Sequence, residues 1–216
     1  MKKILILFLM LSSISVISQV DKFDNFLIKD VGYISIPNIM EIQKGEYKKY
    51  MDGFHEKYGK KFGYEIMDNS VVFQQKGLNE WSEEGFTTYA RIILETNVGN
   101  YGDFEKITTS FSANEAELSG LSDMYKSQLI KSFEGTTLKL IKWHGLATVT
   151  VNGRSAIKMS YLRDAKGKPE VEVSVYSFQN NDRMHSLTIS YRKANEKLWK
   201  SLMEKVLNSF VITNVR

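Results

Sequence analysis

Ala147-Thr148-Val149-Thr150-Val151-Asn152-Gly153-Arg154-Ser155-Ala156-Ile157-Lys158-Met159-Ser160-Tyr161 decides the fold of this 216-residue chain. Two runs of alternating apolar and polar residues flank Asn152-Gly153. Asn-Gly is the strongest short hairpin signal, because a two-residue turn of the right twist needs φ > 0 at both central positions. The stretch therefore reads as two antiparallel strands, Ala147–Val151 and Ala156–Leu162.

The same pattern extends in both directions. Leu138–Trp143 lies upstream, with His144-Gly145 read as a turn. Val171–Phe178 and Leu187–Tyr191 lie downstream, set off by Asp164–Gly167 and Asn180-Asn181-Asp182. Strands spaced roughly ten residues apart with short connections predict an antiparallel meander. Val149, Val151, Ile157, Met159, Tyr161, Val171, Val173, Val175, Leu187, Ile189 and Tyr191 are expected to share one packed face. Thr148, Lys158, Glu172, Ser174, Thr188 and Ser190 take the other, polar one.

After the meander, Leu198, Trp199, Leu202, Met203, Val206, Leu207 and Phe210 recur at i, i+3, i+4 spacing. This is an amphipathic helix, with Asn195 as its N-cap, that must lie on the apolar sheet face. Before the meander, Gly32–Pro37 reads as a first strand stopped by proline. Gly45–Gly59 reads as a helix with Tyr47, Tyr50, Met51, Phe54 and Tyr58 on one side, and Lys57, Lys60 and Lys61 at its end suit the helix dipole. Val71–Gln75 and Thr87–Val98 read as strands. The polar loop Gly77–Gly85 lies between them, and Gly99–Gly102 ends the second. Ser112-Ala113-Asn114-Glu115 has capping-box spacing and opens a helical region running to Phe133. The expectation is an α+β fold, an antiparallel sheet of about 6–8 strands packed against helices.

The N-terminus reads as a signal peptide over residues 1–18. Lys2 and Lys3 precede the apolar run Ile4–Leu11, and a Ser-rich segment ends at Ser18. The run is too short to span a bilayer, which needs roughly 20 apolar residues. No Cys exists to accept a lipid. The expectation is an exported protein, periplasmic or extracellular, whose mature form begins at Gln19. Residues 19–29 form a lead, and residues 30–213 a single domain. Without Lys2 and Lys3 the basic count falls from 29 to 27 against 25 acids. That near-neutral balance argues against nucleic acid as a partner. With no cysteine, stability must come from burial.

The strand closed by Ile36-Pro37, the helical region, the strand run through Asn152-Gly153 to Tyr161 and the ending Val206-Leu207-Asn208-Ser209-Phe210 resemble the Mog1/PsbP-like group of small α/β domains. The resemblance spans residues 30–213. It implies an α/β/α sandwich and a binding or assembly-accessory role without catalytic residues. The polar alternation of the late strands departs from that pattern, since it leaves one sheet face partly covered.

No spacing supplies a catalytic, cofactor-binding or metal-binding set. His55, His144 and His185 are far apart and form no H-x-x-x-H pair. His55 falls on the polar side of its helix, His144 in a turn, and His185 shares parity with Leu187 and Ile189 as a core-edge histidine. Gly120-Leu121-Ser122-Asp123-Met124 and Gly153-Arg154-Ser155-Ala156-Ile157 lack the closing glycine of a nucleophile elbow. Gly99-Asn100-Tyr101-Gly102 lacks the third glycine of a dinucleotide loop. Glu83-Glu84 and Glu170/Glu172 read as surface charge, without the apolar pocket that raises a catalytic acid. Trp81 stands out, a large aromatic in the acidic loop Asn79-Glu80-Trp81-Ser82-Glu83-Glu84. It is either a loop anchor or an exposed contact. The expected function is binding of an unidentified protein or small ligand in the cell envelope, without cofactor. A lipid or small-ligand carrier with a sheet–helix cavity and a hydrolase with an unrecognised site are the alternatives.

Overall fold

The computed structural model describes residues 22–62, 70–108, 115–165 and 167–216. The signal-peptide segment and the capping box at Ser112–Glu115 fall outside the described residues, as do the side chains of His55, Lys57, Lys60 and Lys61. The elements run β1 (Phe23–Ile28), β2 (Gly32–Pro37), β3 (Met40–Ile42), α1 (Gly45–Phe62), β4 (Val71–Gln75), α2 (Glu83–Phe86) and β5 (Ala90–Val98). Next come α3 (Glu115–Phe133), β6 (Leu138–Val151), β7 (Arg154–Ala165), β8 (Val171–Gln179), β9 (Arg183–Arg192), α4 (Glu196–Ser209) and β10 (Val211–Ile212). Seven strands form one sheet in the order β3-β4-β5-β9-β8-β7-β6, and β1, β2 and β10 form a second. Every pairing is antiparallel. The fold is α+β, as the strand and helix patterns predict.

The single packed face is corrected by the register. Val173 pairs with Ser190 and Val175 with Thr188, whereas Ile189 pairs with Ser174 and Leu187 with Tyr176. Directly opposed residues project to the same side. Val171, Val173 and Val175 therefore lie on the face opposite Leu187, Ile189 and Tyr191. Val149 pairs with Ala156, not with Ile157, so it sides with Leu187. Parity holds along a strand, but each turn resets it.

The sheet thus has two apolar halves on opposite faces. On the first face Phe73, Ile92, Leu94, Phe178, Leu187 and Ile189 pack with Trp199, Leu202, Met203, Val206 and Phe210 of α4, and with Ile34, Ile36 and Ile212 of the small sheet. On the second face Tyr161, Val171 and Val173 pack with Phe133 of α3, flanked by Trp143, Leu129, Leu138 and Met159. Helices lie on both faces, and the second is covered only in part, with a cleft beside its smaller cluster.

Two further readings change. His144-Gly145 is not a turn. β6 runs unbroken from Leu138 to Val151 and absorbs the extra residues in register shifts at Leu140/Lys142 and Trp143/Gly145. Gly145 takes φ 102°, which a bulge can use and a β-branched residue cannot. The first strand is Phe23–Ile28, inside the stretch read as a lead, and it pairs with β2 along its whole length. Asp24 and Asn25 are poor strand formers, and they masked it.

The two segments that carry the family resemblance meet in space. Asn152 sits at φ 47° in the hairpin turn. Its Nδ2 donates to the Asn208 and Phe210 carbonyls, both at 2.8 Å, so the turn caps the end of α4. Ser209 Oγ accepts from Ser35 N at 2.9 Å and ties the same helix end to β2.

Candidate functional site

Trp81 is held in place from below. Asn79 Nδ2 donates to the Ile42 carbonyl at 2.9 Å, Asn79 Oδ1 accepts from Lys44 N at 3.0 Å, and Asn79 N donates to Glu41 Oε1 at 2.9 Å. The buried Gln75 amide donates to the Gly85 and Thr88 carbonyls, each at 2.9 Å. Gly77 is needed at the loop entrance, at φ 94°, where a Cβ would collide with Ser82 Oγ. Ser82 then caps α2 through Gly85 N. The loop is a fixed mount, not a loose tether.

On this mount Trp81 takes φ 56°, an uncommon backbone for a bulky residue. Its ring meets Tyr47 edge-on at 4.9 Å and Tyr50 at 5.3 Å, and stacks near Phe86 at 6.4 Å. Tyr47 is buried, but Trp81 is 47% exposed, Tyr50 57% and Phe86 51%. With Phe54 on the next turn of α1, also about half exposed, the rings form an aromatic ledge. Glu80, Glu83 and Glu84 border it, and none of the three forms an ion pair among the described residues. The Trp81 ring packs against Tyr47 and Tyr50, while 47% of the residue meets solvent.

Two clefts flank the sheet. The first, of about 370 Å³, lies under α4 and holds His144, Lys158, Glu172, Lys193, Glu196 and Lys200. Several of its charges are matched internally, while Lys158 lies over the Tyr176 ring. His144 Nε2 meets Glu172 Oε1 at 2.9 Å, Lys193 meets Glu196 at 2.7 Å, and Lys200 lies 3.6 Å from Glu196. Glu172 is thus not the solvated surface acid of the sequence reading, but a half-sheltered partner of His144. Ser160 and Ser174 line the same cleft, yet no serine oxygen is bonded to His144 among the described residues. Burial, with help from Glu196, Glu172 and Glu204, pushes the Tyr191 phenol up to about 12.

The second cleft, of about 350 Å³, opens on the other face between α1 and α3. Tyr89 just before β5, Arg91 of β5, Arg163 of β7, Ser190 of β9 and Glu95 at its far end supply the polar lining. Burial pushes the Tyr89 phenol up, but the Arg91 and Arg163 guanidiniums, with hydrogen bonds from Ser190 and Arg163, outweigh it and hold the group below its ordinary value. The sequence reading missed these residues. The available signal was Arg91 inside the apolar strand Tyr89-Ala90-Arg91-Ile92-Ile93, where a cation needs a reason.

His185 is a core histidine, as its parity predicts. It is fully buried, with Nδ1 at 2.9 Å from Thr96 Oγ1 and Nε2 at 3.3 Å from Asn180 Nδ2. Asn180 Nδ2 is a donor, so Nε2 must accept and Nδ1 must carry the proton. Burial, then the Arg183 charge, lower its pKa to about 4. Ser122 Oγ accepts from Trp143 Nε1 at 2.9 Å and pins α3 to β6. Among the described residues no group of three or more His, Asp or Glu could hold a metal, and no helix is long and apolar enough to cross a membrane.

No family model and no curated protein matches the chain. Among solved structures, it is similar to cyanobacterial PsbP from Synechocystis sp. PCC 6803, at 12% identity over 89% of this chain and 94% of that one, with a TM-score of 0.48. A Pseudomonas aeruginosa protein of unknown function, described as a putative regulator, is similar at 9% identity over 88% of this chain and 96% of that one, with a TM-score of 0.42. A Bacteroides thetaiotaomicron structure is similar at 9% identity over 83% of this chain and 44% of that one, with a TM-score of 0.39.

Proposed function

We propose that this is an exported, non-enzymatic accessory protein that docks a partner on the aromatic ledge of Trp81, Tyr50, Phe54 and Phe86. The single observation that carries this reading is a set of half-exposed rings on a rigid mount. Aromatics held in one conformation bury large apolar area on binding at little entropic cost. Glu80, Glu83 and Glu84 at the border, without an ion pair among the described residues, set the partner's chemistry. It is a protein segment in which Lys or Arg alternates with large apolar side chains. The tripartite N-terminus supports export. N-terminal mass analysis of the exported form should show Gln19 first, and an intact Met1 would remove that part of the reading.

The docking test uses Trp81→Ala. A synthetic peptide of alternating Lys and Leu or Phe residues should quench Trp81 fluorescence, and the variant should bind it about tenfold more weakly, which is about 1.4 kcal/mol. Capture from envelope extract by wild type and variant should differ in at least one protein. Equal peptide affinity and identical captured sets would sink the proposal. Hydrolysis of ester, peptide or glycoside by the pure protein, abolished by a single Ser, Glu or His substitution, would replace it with an enzymatic one.

A further inference from the structure

We infer that the cleft between α1 and α3 binds a small organic acid, whose carboxylate sits between Arg91 and Arg163 and whose apolar body lies on the sheet. The argument starts from register. Arg91 aligns through Ser190 and Val173 with Tyr161, two residues before Arg163. The two arginines therefore stand on one face, three strand spacings and two residues apart, roughly 16 Å at the backbone. Their long side chains line one and the same cleft, together with Tyr89. The Arg91 guanidinium carbon lies 6.0 Å from the Tyr89 ring centre, and the two cations together hold the Tyr89 phenol below its ordinary value.

Two positive forks thus converge in a concave site, and their charge is not spent elsewhere. Among the described residues neither arginine has a carboxylate within ion-pair distance. Asp52, the acid on the α1 rim, is already held by Lys48 at 2.6 Å. Glu95, at the far end of the cleft, is raised by burial alone, with no cation lowering it. Arg91 Nε is buried and has no hydrogen-bond partner. A buried donor left unmade costs about 1–3 kcal/mol, more for a charged group, so native proteins rarely keep one without use. A planar carboxylate matches the guanidinium fork in geometry and charge.

The rest of the lining selects the body of the ligand. Ile93, Val173, Phe133, Leu129 and Met51 supply an apolar floor and walls beside the basic end. A cleft of about 350 Å³ is at the lower limit for drug-sized ligands. An aromatic or short-chain acid fits that combination of one anionic head and one apolar tail.

Calorimetry on the full exported chain tests this with 4-phenylbutyrate as probe, 4-phenylbutanol as its neutral twin and inorganic phosphate as the non-planar anion. The acid should bind at least about tenfold tighter than the alcohol and tighter than phosphate. Arg91→Gln should weaken the acid by about tenfold or more. Arg163→Lys keeps the charge, loses the fork and should still lose several-fold, which covers the case in which Arg91→Gln fails to fold. Equal binding of acid and alcohol, tighter binding of phosphate, absence of heat with millimolar acid, or unchanged affinity in folded variants of both arginines would overturn the assignment.

Discussion

The two faces of the seven-stranded sheet are built from the same alternating strands but finish differently. On one, α4 and the small sheet seal a continuous core that runs from Phe73 through Leu187 to Phe210. On the other, Phe133, Tyr161, Val171 and Val173 form a smaller cluster under α3, and the polar row of Arg91, Thr188 and Ser190 lines a cleft beside it. The sealed face is where the chain gains stability. The cleft face, with the ledge on the exposed side of α1, is where it keeps unpartnered chemistry. The cleft beside α4 on the first face holds His144–Glu172 and Lys193–Glu196 pairs, whereas Arg91 and Arg163 line the second cleft without a carboxylate partner among the described residues.

The sharpest test of that difference is truncation on each side. Trp199, 1% exposed and bonded through Nε1 to Thr88 Oγ1 at 2.8 Å, should cost about 3–5 kcal/mol as Trp199→Ala, and Leu202→Ala about 2–5 kcal/mol. Leu129→Ala on α3, partly buried against the smaller cluster, should cost only about 1–2 kcal/mol. Urea unfolding measures all three. Equal costs for Leu202 and Leu129 would mean that the second face is as closed as the first.

Acid should unlock the sealed face through His185. Its folded pKa of about 4 lies below the ordinary 6.5, so the unfolded chain takes up a proton that the folded chain refuses. This stability is complete above pH 6.5 and is lost as pH falls from 6.5 towards 4, up to about 3 kcal/mol. Protonation would also set an Nε2–H against the Asn180 amide, which itself donates. Unfolding free energy measured from pH 7 to pH 4 should fall more steeply in the wild type than in His185→Gln. Parallel curves would show that the histidine titrates normally.

The meander was legible in the sequence because alternation and Asn-Gly turns are local signals. α4 was legible because seven apolar residues at helical spacing need no tertiary information. The division of the apolar residues between two faces was not, since Gln179 pairs with Met184 across the turn and so puts odd-numbered β8 residues beside even-numbered β9 residues. β1 stayed hidden because Asp24 and Asn25 interrupt it and only β2 gives it a partner. The Trp81 mount was half legible, as an aromatic among acids, but Tyr47 and Tyr50 come to it from α1. Arg91 and Arg163, 72 positions apart in sequence, meet only through the register of four strands.

A smaller effect tests the joint between hairpin and helix. Asn152→Ala removes both bonds to the end of α4 and leaves a Cβ residue at φ 47°. About 2 kcal/mol should be lost, from two hydrogen bonds at the low end of their net value and a left-handed backbone that alanine dislikes. Asn152→Gly keeps the backbone easy and should lose about half as much. If the two variants unfold at the same urea concentration, the bonds and not the backbone carry the joint.

The smallest expected change separates the ledge from the core. Trp81 and Trp199 are the same residue type in opposite settings, and the same substitution reads both. Trp81→Ala gives up edge contacts with Tyr47 and Tyr50, each worth about 0.5–1.5 kcal/mol in a buried pair. At 47% exposure the ring already shares those contacts with water, and the loop stays fixed by Asn79 and Gln75 without it. A cost of about 1 kcal/mol is expected, against 3–5 for Trp199. Should Trp81→Ala destabilise as much as Trp199→Ala, the ring is a core anchor, its exposure serves no partner, and the docking ledge has to be abandoned. Should it cost little while binding of the basic, apolar peptide falls, the ring is kept at the surface for contact rather than for folding.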